Sequence, residues 1–292
     1  MITDLENETP KVPVKPVPAA TVISLRDTPT GIEVLMVQRT KKADFAGGAL
    51  LFPGGKVDDS DYEIIKSACC SLTDEIPDNL RAIRIAGVRE MFEEAGLIFA
   101  RERGENQVIN KDRAEKIKDK YRADLLSQKI TFHEIIKVEN LIVASDLLVP
   151  FAHWITPITG RKRFDTHFLV AKTPTGHIAS HDGSETLDTI WIDPLSAIKE
   201  AEEGKRRVVF PTRMNLKKVS ESETAEAAIE RAKATPVVTV LPEVHDIDGG
   251  RHLKIPIEAG YGISEITVDY AASDQPPQPK NIKVNGDINY GL

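Results

Sequence analysis

The chain has 292 residues and a formal net charge of −7, with 41% hydrophobic and 28% charged residues. This composition is typical of a globular protein that buries one large core, with room for an appendage. The acidic balance argues against binding to nucleic acid, and no apolar run approaches the length of a membrane span. We therefore expect neither nucleic acid nor a membrane as a partner. The two cysteines, Cys69 and Cys70, are adjacent and fit a reducing compartment, which favours a cytoplasmic location.

The first part of the chain predicts a tail, a hairpin and an inserted helical segment. Residues 1–17 contain three prolines and are expected to form a flexible tail. Apolar, β-branched runs at 19–26 and 32–39 flank a turn and predict a β-hairpin. After a glycine turn, the segment at about 58–79 predicts a short amphipathic helix. Its residue Asp78 is expected to cap the helix that follows.

The rest of the chain predicts alternating helices and strands, followed by a small β appendage. Apolar residues at helical spacing predict surface helices within about 109–139. Strands are predicted at 148–156, 163–171 and 189–192, helices at 194–204 and 212–233, and a β appendage with a polar tail at 235–292. This order favours an α/β protein with a main domain at 18–234.

The nonapeptide Arg89-Glu90-Met91-Phe92-Glu93-Glu94-Ala95-Gly96-Leu97 is the most informative stretch of the sequence. On a helix its three glutamates lie within an arc of roughly 100°. Like charges at this spacing repel each other and destabilise the helix. A hard cation such as Mg²⁺ or Mn²⁺ would offset that repulsion, whereas a solvated acidic face is the alternative.

A glycine turn, Phe52-Pro53-Gly54-Gly55-Lys56, precedes this helix, and together the two segments resemble the Nudix box. Arg89 follows Gly55 by 34 residues, which is twenty more than in the family pattern. This insertion resembles the peroxisomal coenzyme A diphosphatase branch of the Nudix hydrolases. So do the stretches Pro150-Phe151-Ala152-His153-Trp154-Ile155-Thr156-Pro157 and Arg163-Phe164-Asp165-Thr166-His167-Phe168.

The resemblance implies a Nudix-type α/β/α sandwich with a mixed sheet, and it implies roles for the residues of the motif. The implied metal ligands for Mg²⁺ or Mn²⁺ are the carboxylates of Glu90, Glu93 and Glu94 and the carbonyl of Gly54. The implied catalytic set comprises Arg89, Glu93, Glu94 and Glu185. In that set Arg89 orients a carboxylate, and Glu185, in the loop before Trp191, is the candidate base.

One position of the motif departs from the family pattern. The first Glu of the pattern falls on Asp61 when counted forward from Gly55, and on Arg81 when counted back from Arg89. Since neither residue is Glu, the sequence leaves open which side chain serves there. His153 and His167 lie in predicted strands and are interpreted as hydrogen-bonded structural histidines.

The candidate substrate-binding residues are Arg39, Lys56 and Arg163, each of which has a solvated loop or surface position as its alternative. A coenzyme A signature of the family fits Arg39, Gly48 and Phe52, but its second Arg falls on Asp44. The predicted reaction is the metal-dependent hydrolysis of a nucleoside diphosphate linked to another moiety. Coenzyme A or acyl-CoA is the leading substrate, giving adenosine 3′,5′-bisphosphate and a phosphopantetheine.

Two alternatives remain. Within the class, the substrate is ADP-ribose, a dinucleotide or a nucleotide sugar. Outside it, the chain is a non-catalytic Nudix domain that senses a ligand or serves as a scaffold. The expected partner is a small nucleotide diphosphate, and a homodimer is left open.

Overall fold

The computed structural model describes residues 13–40, 46–183, 186–269 and 282–283. The α-helices of this part of the chain are α1 (Asp59–Lys66), α2 (Asp78–Ala95), α3 (Lys111–Leu126), α4 (Phe132–Val138), α5 (Pro194–Glu202), α6 (Phe210–Ser220) and α7 (Ala225–Ala234). The strands are β1 (Val17–Thr28), β2 (Gly31–Arg39), β3 (Leu50–Leu51), β4 (Gly54–Lys56), β5 (Ala100–Glu102), β6 (Leu141–Val143), β7 (Val149–Ile155), β8 (Phe164–Lys172), β9 (Thr186–Ile192), β10 (Thr239–Val240), β11 (Glu243–Ile247), β12 (Gly250–Lys254), β13 (Glu265–Asp269) and β14 (Ile282–Lys283).

A mixed sheet forms the centre of the molecule. Its main path runs β10-β7-β8-β1-β2-β3, while β4 also pairs with β1 and β9 with β2. The pairs β1–β8 and β10–β7 are parallel and the others are antiparallel. The predicted hairpin is confirmed, with Leu25 opposite Val34 across β1 and β2.

Successive side chains of the central strands point to opposite faces of the sheet, and each face carries its own layer of helices. Val22 and Leu35 belong to a core cluster that also contains Phe92 of α2. Ile23 and Met36 belong to a second cluster, which is completed by residues of α5, α6 and α7. The predicted α/β/α sandwich is therefore confirmed.

The helix that carries the acidic motif, α2, ends where the sequence indicated. Gly96 adopts a left-handed conformation, with φ of 67°, and its N–H closes the last turn of the helix. The start of the helix differs from the prediction, since Pro77 is the N-cap and Asp78 is already the first helical residue. Asp78 uses its carboxylate to pair with Arg81 instead.

The inserted segment contains a helix, as predicted. α1 begins with a reciprocal capping box between Asp58 and Asp61, and it buries Ile64 completely. α3 and α4 lie within the predicted helical segment, and α4 begins with a second capping box between Thr131 and Glu134. β5 and β6 form a separate two-stranded sheet beside them.

The last part of the described chain forms a second, antiparallel sheet with the order β11-β12-β13-β14. Tyr261, which lies between β12 and β13, connects this sheet to the main core. The Trp154 indole N–H donates to the Tyr261 hydroxyl at 2.8 Å, and that hydroxyl donates to Asn215 at 2.9 Å. β10 follows residue 235 but pairs with β7 in the main sheet, so it is not part of the second sheet. The predicted division of the chain at 234/235 stays a prediction.

No helix in the described part of the chain is long and apolar enough to cross a bilayer. The cytoplasmic location and the homodimer stay predictions.

The packing between α2 and α4 yields a stability prediction. Phe132 is fully buried, and its ring centroid lies 6.0 Å from that of Phe92. Phe132→Ala should lower the free energy of unfolding by about 3–5 kcal/mol, because it removes a buried ring and leaves a cavity. Urea unfolding measures the change.

The matched control is Val138→Ala on the same helix. The Val138 side chain is 67% exposed, so the expected change is within about 0.5 kcal/mol. Equal urea midpoints for the two variants would contradict the assigned packing.

Candidate active site

The glycine turn lies against β1 and approaches its neighbours too closely for any side chain. Gly54 is opposite Thr21, and Gly55 is opposite Ala20, in the antiparallel β1–β4 pair. A methyl group on Gly54 would overlap the Ala20 carbonyl and come within 2.7 Å of the Thr21 Cα. A methyl group on Gly55 would overlap the Glu90 carboxylate. Glycine is therefore required at position 54, where the overlap is with backbone atoms, whereas a side chain at position 55 would displace the Glu90 carboxylate.

The turn and α2 meet through a direct hydrogen bond. The Gly54 backbone N–H donates to Oε2 of Glu94 at 3.0 Å, and the Glu94 side chain is buried. The structure thus brings together two segments that are forty residues apart in the chain. This contact fixes the position of one carboxylate of the acidic motif.

Arg89 connects the remaining acidic groups. Its buried guanidinium donates to both oxygens of Asp61, at 3.0 and 3.1 Å, and to Glu90 at 2.7 Å and Glu93 at 3.1 Å. It also donates to the carbonyl oxygen of Lys56 at 2.6 Å. Although burial opposes the charge, Glu90 and Asp61 raise the pKa of Arg89 above its ordinary value. Arg89 therefore holds two carboxylates of α2 in fixed orientations.

Asp61 is a site residue whose role the sequence left open. Its side chain is fully buried, accepts the paired hydrogen bonds from Arg89 and also accepts the Asp58 N–H at 2.9 Å. Burial raises the pKa of Asp61 to about 6, against the opposing effect of Arg89. The sequence did contain a signal for Asp61, because the first Glu of the family pattern falls on this residue when it is counted forward from Gly55.

The cluster carries more negative charge than its single guanidinium balances. Burial raises the pKa of Glu90 above its ordinary value, and the carboxylates of Glu93 and Asp61 add to this rise against the effect of Arg89. Carboxylate oxygens beside a backbone turn are the donors that Mg²⁺ and Mn²⁺ prefer. The residues present therefore fit a divalent cation, which would supply the missing positive charge.

Arg122 of α3 is a residue of the site that the sequence analysis did not name. Its buried guanidinium donates to the Glu93 carbonyl at 2.8 and 3.0 Å and to the Ser180 carbonyl at 2.8 Å. The Ser180 N–H in turn donates to the Ala95 carbonyl at 2.8 Å. Arg122 thus ties the negative, C-terminal end of α2 to the loop at 180.

The candidate base, Glu185, lies outside the described residues. On either side of it, Asp182 and Thr186 are joined by a hydrogen bond of 2.7 Å from the threonine hydroxyl to the carboxylate. The loop before them packs on the end of α2 through Ser180. The role of Glu185 stays a prediction.

The three predicted substrate-binding residues occupy different environments. Arg39 ends β2 and is half-buried, whereas Lys56 is exposed in β4. Arg163 is buried, and its guanidinium donates to the backbone carbonyls of Thr156 at 3.0 Å and Val14 at 2.8 Å. Contact of these side chains with a substrate stays a prediction.

Comparison with known proteins identifies the family. Residues 64–219, which are more than half of the chain, match the family model of the NUDT19 Nudix domain. The chain belongs to the Nudix hydrolase family. The match includes the whole of α2 and begins after Asp61, so the glycine turn lies outside it.

Individual relatives agree with this assignment. The chain is 29% identical over 191 residues to a putative nudix hydrolase 7 of Caenorhabditis elegans, covering 64% of this chain and 56% of the relative. It is 24% identical over 206 residues to an acyl-coenzyme A diphosphatase NUDT19 of Xenopus laevis, covering 58% and 54%. The chain therefore spans just over half the length of these curated relatives.

A solved structure shows the same fold. It is a NUDIX hydrolase from Alicyclobacillus acidocaldarius, with a TM-score of 0.59 and 27% sequence identity. The similarity covers 74% of this chain and 96% of that one. This likeness supports the Nudix sandwich described above.

The Arg89 contacts predict that lysine cannot replace this arginine. Arg89→Lys keeps the positive charge but loses the paired bonds to Asp61 and at least one bond to Glu90, Glu93 or the Lys56 carbonyl. The free energy of unfolding should fall by about 2 kcal/mol or more, as measured by urea unfolding.

The matched control is Arg251→Lys. Arg251 pairs on the surface with Asp246, whose side chain is 75% exposed, so the variant should change the same free energy by less than about 1 kcal/mol. An Arg89→Lys variant as stable as this control would show that the buried contacts contribute little.

Proposed function

We propose that this chain hydrolyses the diphosphate linkage of coenzyme A or its thioesters in a reaction that depends on Mg²⁺ or Mn²⁺. The products are adenosine 3′,5′-bisphosphate and phosphopantetheine or its acyl derivative. The observation that carries the proposal is the buried cluster in which Arg89 organises Asp61, Glu90 and Glu93 against the glycine turn, in a chain of the Nudix family.

The carboxylates of Glu90, Glu93 and Glu94 and the carbonyl of Gly54 would hold the cation. When bound, divalent cations lower the pKa of a water molecule and neutralise charge on phosphoryl oxygens. The excess of carboxylates over guanidinium groups in the cluster supports this assignment, because it leaves negative charge for a cation to balance.

The chain's own residues position the reacting groups. The Gly54 N–H holds Glu94, and Arg89 holds Glu90 and Glu93, so the carboxylates are oriented before substrate arrives. In the hydrolysis, water attacks one phosphorus, the bond from that phosphorus to the bridging oxygen breaks, and the other phosphate leaves. Glu185 is the proposed base that accepts the proton of the attacking water.

Two observations support coenzyme A as the substrate. The relative from Xenopus laevis is named an acyl-coenzyme A diphosphatase. In addition, the residues of the coenzyme A signature are neighbours in space. The Arg39 backbone N–H donates to the Ala49 carbonyl at 3.0 Å, and Ala49 follows Gly48 in the chain. β3 pairs with β2 and ends at Leu51, directly before Phe52. Asp44, at the departing position of that signature, lies outside the described residues.

The alternatives make different demands on the same cluster. An ADP-ribose, dinucleotide or nucleotide-sugar hydrolase would use the same acidic residues to cleave a different diphosphate substrate. A sensing or scaffold domain would not need them, and retention of Glu90, Glu93 and Glu94 argues against it.

A panel of diphosphates tests the substrate assignment. The purified chain is incubated with Mg²⁺ or Mn²⁺ and with coenzyme A, acetyl-CoA, ADP-ribose, a diadenosine polyphosphate or a nucleotide sugar, and the products are identified by mass. We expect adenosine 3′,5′-bisphosphate from the first two and a loss of turnover with a chelator. A higher kcat/KM for another compound would shift the assignment to that substrate. Failure to turn over the whole panel would favour the non-catalytic alternative.

A single substitution tests the role of the acidic motif. Glu94→Gln removes one negative charge but keeps an acceptor oxygen for the Gly54 N–H, so the fold should remain intact. We expect kcat to fall by about 10²- to 10³-fold, because a cation ligand is weakened. Steady-state kinetics and circular dichroism measure the two effects.

The matched control is Glu226→Gln on the exposed face of α7, which should leave kcat unchanged. Full activity in Glu94→Gln would reject the assigned role of Glu94.

A further inference from the structure

A second group of candidate ligands lies outside the acidic cluster. Within the described part of the chain, one set of three metal-ligating side chains has its ligand atoms all within 4.8 Å of one another, and it comprises His153, Asp165 and His167. His153 lies on β7, and the other two residues lie two positions apart on β8, so all three point to the same face of the sheet.

The strand register places this set relative to the glycine turn. His153 is opposite His167, His167 is opposite Ala20, and Ala20 is opposite Gly55. The four residues form one row across the sheet and share its face. At a strand spacing of about 4.8 Å, His167 is on the order of 10 Å from Gly55. The set therefore shares the face of the acidic cluster but is separate from it.

The contacts within the set converge on one oxygen. His153 Nε2 contacts Oδ1 of Asp165, and His167 Nε2 lies 3.9 Å from the same atom. The two imidazole rings are stacked, with centroids 4.0 Å apart and an angle of 18° between their planes. Two ring nitrogens thus face one carboxylate oxygen, and His167 is too far from it for a hydrogen bond.

A neighbouring strand fixes the orientation of one imidazole. His153 Nδ1 lies 2.8 Å from the Thr239 hydroxyl on β10, which leaves Nε2 directed at Asp165. Metal-binding histidines usually have such a partner on the second ring nitrogen, because it sets the tautomer and the ring orientation. The three side chains are 15–34% exposed, so an ion can reach them from solvent.

We propose that His153, Asp165 and His167 bind one Zn²⁺ ion or a similar late divalent cation at a site distinct from the acidic cluster. Two imidazole nitrogens and one carboxylate oxygen form a donor set that suits zinc, with a fourth position open to water. The acidic cluster, with oxygen donors, favours Mg²⁺ or Mn²⁺ instead. A bound ion would join β7 and β8 and engage β10 through Thr239.

Zinc titration calorimetry in a large excess of Mg²⁺ tests the proposal, because Mg²⁺ would compete with zinc at the oxygen-rich cluster but not at the nitrogen-containing set. The wild-type chain of 292 residues should bind one zinc ion per molecule. His167→Ala should weaken zinc binding on the order of 100-fold or more, because it removes a ligand. Asp165→Asn should also weaken zinc binding, and it should disturb the fold less than His167→Ala does.

The chain offers a matched control in His252. This histidine also lies between a carboxylate and a threonine on a neighbouring strand, with Glu265 at 3.2 Å and Thr267 at 3.4 Å. His245 lies opposite it on β11, but the ligand atoms of His245, His252 and Glu265 do not all lie within 4.8 Å of one another, as those of the proposed set do. His252→Ala should therefore bind zinc as the wild type does.

Anomalous diffraction from the wild-type protein tests the site without relying on any variant. Zinc-soaked wild-type crystals, measured on both sides of the zinc absorption edge, should show an anomalous peak between His153 and His167. The proposal is overturned if wild type binds no zinc in excess Mg²⁺, or if a folded His167→Ala or Asp165→Asn retains wild-type affinity. Should His167→Ala not fold, Asp165→Asn and the anomalous peak decide: no peak between the histidines overturns the proposal.

Discussion

The buried guanidinium of Arg89 donates hydrogen bonds to four groups that come from three different segments of the chain. Asp61 belongs to the inserted helix α1, the Lys56 carbonyl to the glycine turn, and Glu90 and Glu93 to α2. A buried charge of this kind is stable only when its hydrogen-bonding groups are satisfied. The relative positions of the glycine turn, α1 and α2 therefore all depend on this one side chain.

The surrounding structure is arranged so that these contacts persist. Gly54 and Gly55 allow the turn to approach β1 and Glu90 closely, and the same turn donates a hydrogen bond to Glu94. At the opposite side, Arg122 ties the end of α2 to the loop at 180. The Gly54 N–H thus holds the Glu94 carboxylate and the Arg89 guanidinium holds those of Glu90 and Glu93, so the acidic groups are oriented in advance.

Most elements could be predicted because their signals are local. The end of α2 at Gly96 follows from the conformational freedom of glycine, and the β1–β2 hairpin follows from two apolar runs around a turn. The start of α2 was misplaced by one residue, because Asp78 pairs with Arg81 rather than capping the helix. The C-terminal segment was harder, since β10 joins the main sheet by parallel pairing to a distant strand.

The sequence by itself determined the acidic motif and, through it, the family, and it predicted a hard cation, because residue type and helical spacing are local properties. Only the tertiary structure decided that Asp61 is the partner of Arg89, since the insertion makes two positions equally consistent with the motif. It also decided that His153, Asp165 and His167 form one group. Strand register brings these residues together, and register depends on the pairing of whole strands rather than on any local pattern.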